Sequence, residues 1–179
     1  GCNDSYVYAL DTTDGTERWR SPTNDMVSSS PAVVGDTVYV GSRDDNVYAL
    51  SATDGSKQWS FETGSNVTSA PTPVNETVYV GGFDGNVYAL NATDGSRRWR
   101  FETQNLLSSS PAVVNGTVFI GSTGGTVYAL DATDGTERWS FQTSGSTGVR
   151  SSPAVWNDSV YLGDQNGVVY ALNSTDGTK

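Results

Sequence analysis

Short apolar runs separated by turn-forming residues recur along the whole chain at a fixed interval. The stretch from Ser109 to Thr143 contains four of them: Pro111 to Val114, Thr117 to Gly121, Thr126 to Leu130 and Thr136 to Phe141. Runs of this length bounded by Gly, Asn and Asp are strand and hairpin signals, and no segment has a helical period. Four antiparallel strands per unit are therefore predicted. Shifting the chain by 40 residues lays Ser29-Ser30-Pro31 over Ser69-Ala70-Pro71 and Ser109-Ser110-Pro111, and brings Trp19, Trp59, Trp99 and Trp139 into one column. Self-similarity at such a period marks a repeat architecture.

The connections fit this reading. Asn115-Gly116 closes the first hairpin, and both residues tolerate the positive φ of a type I′ turn. Gly35-Asp36, Asn75-Glu76 and Asn157-Asp158 occupy the same place. A second turn at Gly124-Gly125 leads into the third strand, where Val-Tyr-Ala-Leu recurs at 7–10, 47–50, 87–90, 127–130 and 169–172. Its apolar residues fall on both faces, as expected of a sheet covered on both sides. The third turn ends in Gly15, Gly55, Gly95, Gly135 or Gly177, which predicts a positive φ that a side chain would resist. Between Phe141 and Pro153 the chain is longer than between Phe101 and Pro111, making Ser144 to Arg150 an enlarged inter-repeat loop.

A four-stranded unit of about 40 residues buries both faces only by stacking on its own kind. Radial stacking of such sheets is a β-propeller, which is the all-β fold expected here. The repeat, with Ser-Ser-Pro-Ala-Val-Val, then Val-Tyr-Val-Gly at 38–41 and 78–81, then Val-Tyr-Ala-Leu-Asp and Asp-Gly-x-x-x-Trp, resembles the PQQ-like propeller repeat. Quinoprotein alcohol dehydrogenases and BamB-type outer-membrane assembly lipoproteins share that repeat. The resemblance implies that Trp19, Trp59, Trp99 and Trp139 dock each blade on the next. By this reading the chain is a partial blade at 1–23, three blades at 29–63, 69–103 and 109–143, and a partial blade at 151–179. Seventeen strands make four blades and one strand over. Such propellers close with seven or eight blades by resemblance, so three assemblies follow: a four-bladed ring closed by the two ends, an eight-bladed ring of two chains, or an arc of a longer protein. The two-chain ring is favoured over the four-bladed one, in which inter-blade angles would double.

Charge narrows the function. The chain carries 20 acidic and 10 basic residues, for a net charge of −10, and no His. Clustered cations that hold phosphate are missing, which excludes nucleic acid as the expected partner. Lys57 and Lys179 are the only lysines, and acidic, lysine-poor surfaces resemble those of haloarchaeal proteins. No apolar run is long enough to span a bilayer. Cys2 is the single cysteine, so no internal disulfide forms within one chain. Gly1-Cys2 aligns with Gly41-Ser42 as part of a repeat; the rival reading takes Cys2 as a lipid anchor.

Candidate chemistry is sparse. The quinoprotein dehydrogenases, by resemblance, use a catalytic Asp, a carboxylate and an Asn on Ca²⁺, a Trp beneath the quinone and often vicinal cysteines. One Cys cannot supply that pair, and no acid is singled out from its repeat copies, so no cofactor is expected. The five Asp/Ser/Asn-x-x-Asp-Gly turns have Gly fifth and lack the Glu of an EF-hand loop. Asp11, Asp54, Asp131 and Asp176 are read as turn formers instead. Without His, the usual general base and imidazole ligand are missing. Asn-x-Ser/Thr occurs at Asn3, Asn66, Asn91 and Asn173 and, at hairpin turns, at Asn75, Asn115 and Asn157, where a glycan would project outward. Trp156 replaces Val34, Val74 and Val114; it is expected to pack beside the enlarged loop, the other reading being a contact surface. The sequence thus points to a non-enzymatic scaffold or binding module of an exported or cell-surface protein, with a protein partner or a second copy of itself. A quinoprotein dehydrogenase fragment and the sensor domain of a membrane kinase are the alternatives.

Overall fold

The computed structural model describes residues 1–144 and 148–179. Among these, seventeen strands form five antiparallel sheets and there is no helix. The first sheet holds β1 (Tyr6–Leu10) and β2 (Glu17–Pro22). Three complete sheets follow. They are β3 (Ala32–Val34), β4 (Thr37–Gly41), β5 (Asn46–Ser51) and β6 (Lys57–Glu62); then β7 (Thr72–Val74), β8 (Thr77–Gly81), β9 (Asn86–Asn91) and β10 (Arg97–Glu102); then β11 (Ala112–Val114), β12 (Thr117–Gly121), β13 (Thr126–Asp131) and β14 (Glu137–Gln142). The last sheet has β15 (Ala154–Trp156), β16 (Ser159–Gly163) and β17 (Val169–Asn173).

Each sheet runs in sequence order, every strand beside its predecessor. The first strands begin one residue later than the sequence pattern suggests, because Pro31, Pro71 and Pro111 have no N–H for the ladder. The two ends do not merge into one blade: β1 and β2 pair only with each other, and β15 to β17 form a separate sheet.

The hairpin turns divide into two kinds. Asn115-Gly116 and Asn157-Asp158 have positive φ at both residues, as type I′ requires. At Gly35-Asp36 and Asn75-Glu76 only the first residue does, since Gly35 lies at 57° and Asn75 at 52°. The third-turn glycines all have φ between 71° and 77°.

The core lies between sheets. One face of each carries an aromatic from its second strand, Val and Ala from its third, and a Trp from its fourth: Tyr39, Val47, Ala49 and Trp59, for example. It meets Val78, Val80, Tyr88 and Leu90 from the following sheet. The same interface recurs with Tyr79, Val87, Ala89 and Trp99 against Val118, Ile120, Tyr128 and Leu130, and with Phe119, Val127, Ala129 and Trp139 against Val160, Leu162, Tyr170 and Leu172. Both faces of β5, β9 and β13 are buried, which explains their unbroken apolar runs. The first strands β3, β7, β11 and β15 converge, with Thr72 Oγ1 donating to the Pro111 carbonyl at 2.7 Å.

The enlarged loop at Ser144 to Arg150 includes 145–147, which lie outside the described residues. Beside it, Val149 is fully buried over Gly121, in the same core cluster as Phe119 and Trp139.

Candidate binding surfaces and inter-sheet clefts

Each fourth strand carries a β-bulge beside its tryptophan. In β14 the register passes from Ala129 opposite Trp139 to Leu130 opposite Glu137, leaving Arg138 extra. Arg18, Gln58 and Arg98 are the corresponding bulged residues. The bulge re-aims the strand so that the indole lies over a small alanine and faces the next sheet. There the indole N–H of Trp19, Trp59, Trp99 and Trp139 donates to the carbonyl of Ala52, Ala92, Ala132 and Ser174, at 2.9 to 3.0 Å. The ring lies on the third-turn glycine of that sheet: a Cβ at Gly55, Gly95, Gly135 or Gly177 would come within 2.5 to 2.7 Å of the Trp ring. At Gly15, in the first sheet, no tryptophan lies on the turn among the described residues, and a Cβ there meets nothing within 4 Å.

Other polar groups that look chemical in the sequence are engaged in the frame. The buried Ser29, Ser69 and Ser109 of the Ser-rich segments, and exposed Ser151, each accept from the backbone N–H that ends the second strand, Gly41, Gly81, Gly121 and Gly163. Asp11, Asp54, Asp131 and Asp176 sit in the third turns, where Asp11 and Asp131 accept from the N–H two residues on. Arg138 also donates to Asp131, and this bond, ahead of the backbone one, holds the carboxyl down at about 2.

Residues the sequence reading passed over are Asp4, Asp44, Asp84 and Asp164, which accept from the hydroxyls of Tyr8, Tyr48, Tyr88 and Tyr170. Asp44 and Asp84 also accept from the Asn24 and Gly64 N–H of the preceding inter-repeat loop, tying consecutive units together. Burial, and then the Asp84 carboxylate, pushes the Tyr88 phenol up to about 12. The equivalent place in the third complete sheet is Gly124, so Tyr128 lacks this partner. A signal existed, an acid four residues before Tyr in three complete turns, but turn chemistry alone explained it.

Asn75, Asn115 and Asn157 lie exposed on the first hairpin turns. Trp156 is 69 % exposed, which corrects the expectation that it packs beside the enlarged loop: its position at the end of a first strand faces solvent. Cys2 is exposed, and its backbone bonds to Tyr6 and Val27 as Ser42 does to Asn46 and Val67. No group of three or more metal-ligating side chains occurs among the described residues.

Among the described residues, two sheet faces have no neighbour. On the last sheet Tyr161, Val169 and Ala171 occupy the places that Phe119, Val127 and Ala129 hold in the preceding one, and Val169 is 75 % exposed. On the first sheet Tyr8 and Leu10 occupy the places of Tyr48 and Leu50, and Leu10 is 55 % exposed. These faces repeat parts of the two halves of the interface that recurs inside the chain, the last sheet without the fourth-strand tryptophan and the first without the second-strand residues.

Sheets stacked face to face through tryptophans on outer strands define a β-propeller-type repeat protein. Residues 3–106 and 83–179 match a family described as outer membrane protein assembly factor BamB, and the chain belongs to this family of PQQ-like repeats. Among solved structures it is similar to BamB from Moraxella catarrhalis, with 21 % identity and a TM-score of 0.85 over 98 % of this chain and 57 % of that one. A computationally designed protein, Ika4, is 18 % identical, with a TM-score of 0.80 over 89 % of this chain and 98 % of its own. A quinohemoprotein alcohol dehydrogenase from Pseudomonas putida is 22 % identical, with a TM-score of 0.75 over 97 % of this chain and 35 % of the enzyme. The chain spans about half the length of the BamB structure, and comparison with curated proteins gave no match.

Proposed function

We propose that this protein is a non-enzymatic scaffold of an exported or cell-surface assembly, which docks a protein partner on its open sheet faces, and that the partner is a second copy arranged head to tail. The observation that carries this reading is the exposed set Tyr161, Val169 and Ala171, which repeats the second- and third-strand part of the surface buried in each internal interface. The first sheet offers the complement, Tyr8 and Leu10. A heterologous contact of this kind closes into a ring when the rotation between copies allows it. Family membership supports protein partners and, through the description of its namesake in outer-membrane assembly, an exported location. An acidic surface with a net charge of −10 supports a salt-rich setting, where repulsion between copies is screened.

The test is the Val169→Asp variant, which places a charge in the docking face. Wild type associates and the variant is monomeric; equal mass for both overturns the docking role. A calorimetric titration with PQQ and Ca²⁺ tests the non-enzymatic half, and saturable uptake would favour a dehydrogenase fragment.

A further inference from the structure

The repeats provide an internal standard against which one inter-sheet cleft is unusual. Two equivalent clefts open at the end of the sheets that carries the first and third turns. One lies between the second and third complete sheets and is lined by Tyr79, Arg98 and Ala132 among others. The other, of about 550 Å³, lies between the third complete sheet and the last, with Phe119, Arg138 and Ser174 at the matching places. Its size falls within the roughly 300–1,000 Å³ of small-molecule sites.

The departures from the repeat converge on this second cleft. Tyr39 and Tyr79 donate their hydroxyls to the Ala92 and Ala132 carbonyls, which also accept from Trp59 and Trp99. Phe119 has no hydroxyl, so the Ser174 carbonyl accepts from Trp139 alone among the described residues. Ser174 itself replaces the alanine found at 52, 92 and 132, adding a hydroxyl. Trp156 replaces valine and lines the same cleft, beside Asp158, whose turn position is also acidic at Asp36 and Glu76. Two of the three equivalent residues that have a following sheet in place are also exposed, Val34 at 52 % and Val114 at 36 %, whereas Val74 is half-buried against the core.

We infer that this cleft binds an uncharged pyranose sugar. An exposed indole offers a flat apolar plate to the C–H face of a sugar ring, as aromatic side chains with one apolar side and one wet side do at recognition surfaces. The Ser174 carbonyl accepts a sugar hydroxyl in place of the tyrosine hydroxyl, and Asn157, Asp158 and the Ser174 hydroxyl supply further partners. Arg138 is paired with Asp131, so it offers no free cation to an anionic ligand, and Asp158 disfavours one. Phe119 and Ser174 belong to an internal interface, so this inference stands or falls separately from the docking of a second copy.

The protein, produced without N-glycans because Asn115 and Asn157 are sequons at the rim, is titrated with the methyl glycosides of glucose, galactose, mannose and N-acetylglucosamine. Saturation-transfer NMR and tryptophan fluorescence report binding. At least one glycoside is expected to bind, with affinity about tenfold weaker in Trp156→Ala and about fivefold weaker in Phe119→Tyr, whose hydroxyl takes the Ser174 carbonyl. Phe119→Tyr should unfold no earlier than wild type, because it restores the bond made by Tyr79. Absence of binding by all four glycosides, or binding unchanged in both variants, overturns the assignment.

Discussion

Replacing glycine by alanine in the third turn separates backbone strain from inter-sheet packing, because the same turn occurs with and without a tryptophan on it. Gly15 and Gly95 have nearly the same φ, 75° and 74°. In both, alanine forces an L residue into the left-handed region, at roughly 1 kcal/mol. At Gly15 a Cβ meets nothing, so Gly15→Ala should cost about that much. At Gly95 the Cβ would lie 2.7 Å from the ring of Trp59, which is 8 % exposed and held by its bond to the Ala92 carbonyl. Neither indole nor turn moves freely, and overpacking of this kind costs about 1–3 kcal/mol more. Gly95→Ala should therefore destabilise by roughly 2–4 kcal/mol. Equilibrium urea unfolding, followed by circular dichroism at unchanged slope, measures both. Equal losses would refute the claim that these glycines are required for blade docking as well as for the turn.

Other consequences are as direct. Thr103 is buried, with its hydroxyl 2.8 Å from the Gly85 carbonyl and 2.6 Å from the Asn105 carbonyl; Thr103→Val keeps the backbone N–H bond to Gly85 but removes the hydroxyl donor from Asn105, and should cost about 1–3 kcal/mol in the same urea assay. Folding raises the Tyr88 phenol, so the stabilisation it carries is complete below the ordinary value of 10 and is lost as pH climbs towards about 12; absorbance at 295 nm should show this tyrosine ionising together with loss of structure, and not before it. Screening of the net charge of −10 should raise the thermal midpoint between about 0.05 and 1 M NaCl, and a fall would contradict the salt-loving reading.

How much of this was legible in the sequence depended on whether a feature repeats. The strands, the turn glycines and the tryptophan column recur at one spacing, and four-stranded sheets that need neighbours follow from it. The bulges at Arg18, Gln58, Arg98 and Arg138 were not legible, because an extra residue present in every copy leaves the period intact. The Asp84–Tyr88 tie was not legible, because aspartate is ordinary in a turn and its spacing from the tyrosine does not by itself require a bond. Trp156 alone was read as a departure; Phe119 and Ser174 were not, because they are brought into one cleft only by the stacking of consecutive sheets. Trp156 was read as a packing residue because lone aromatics usually fill space; its place at the open end of a short first strand reversed that.

Light scattering on the wild type and Val169→Asp, at low and at high salt, tests the central claim most directly. The account predicts a wild-type mass near twice 19.0 kDa that strengthens with salt, and a monomer for the variant. A wild type that stays monomeric at both salt concentrations would contradict it.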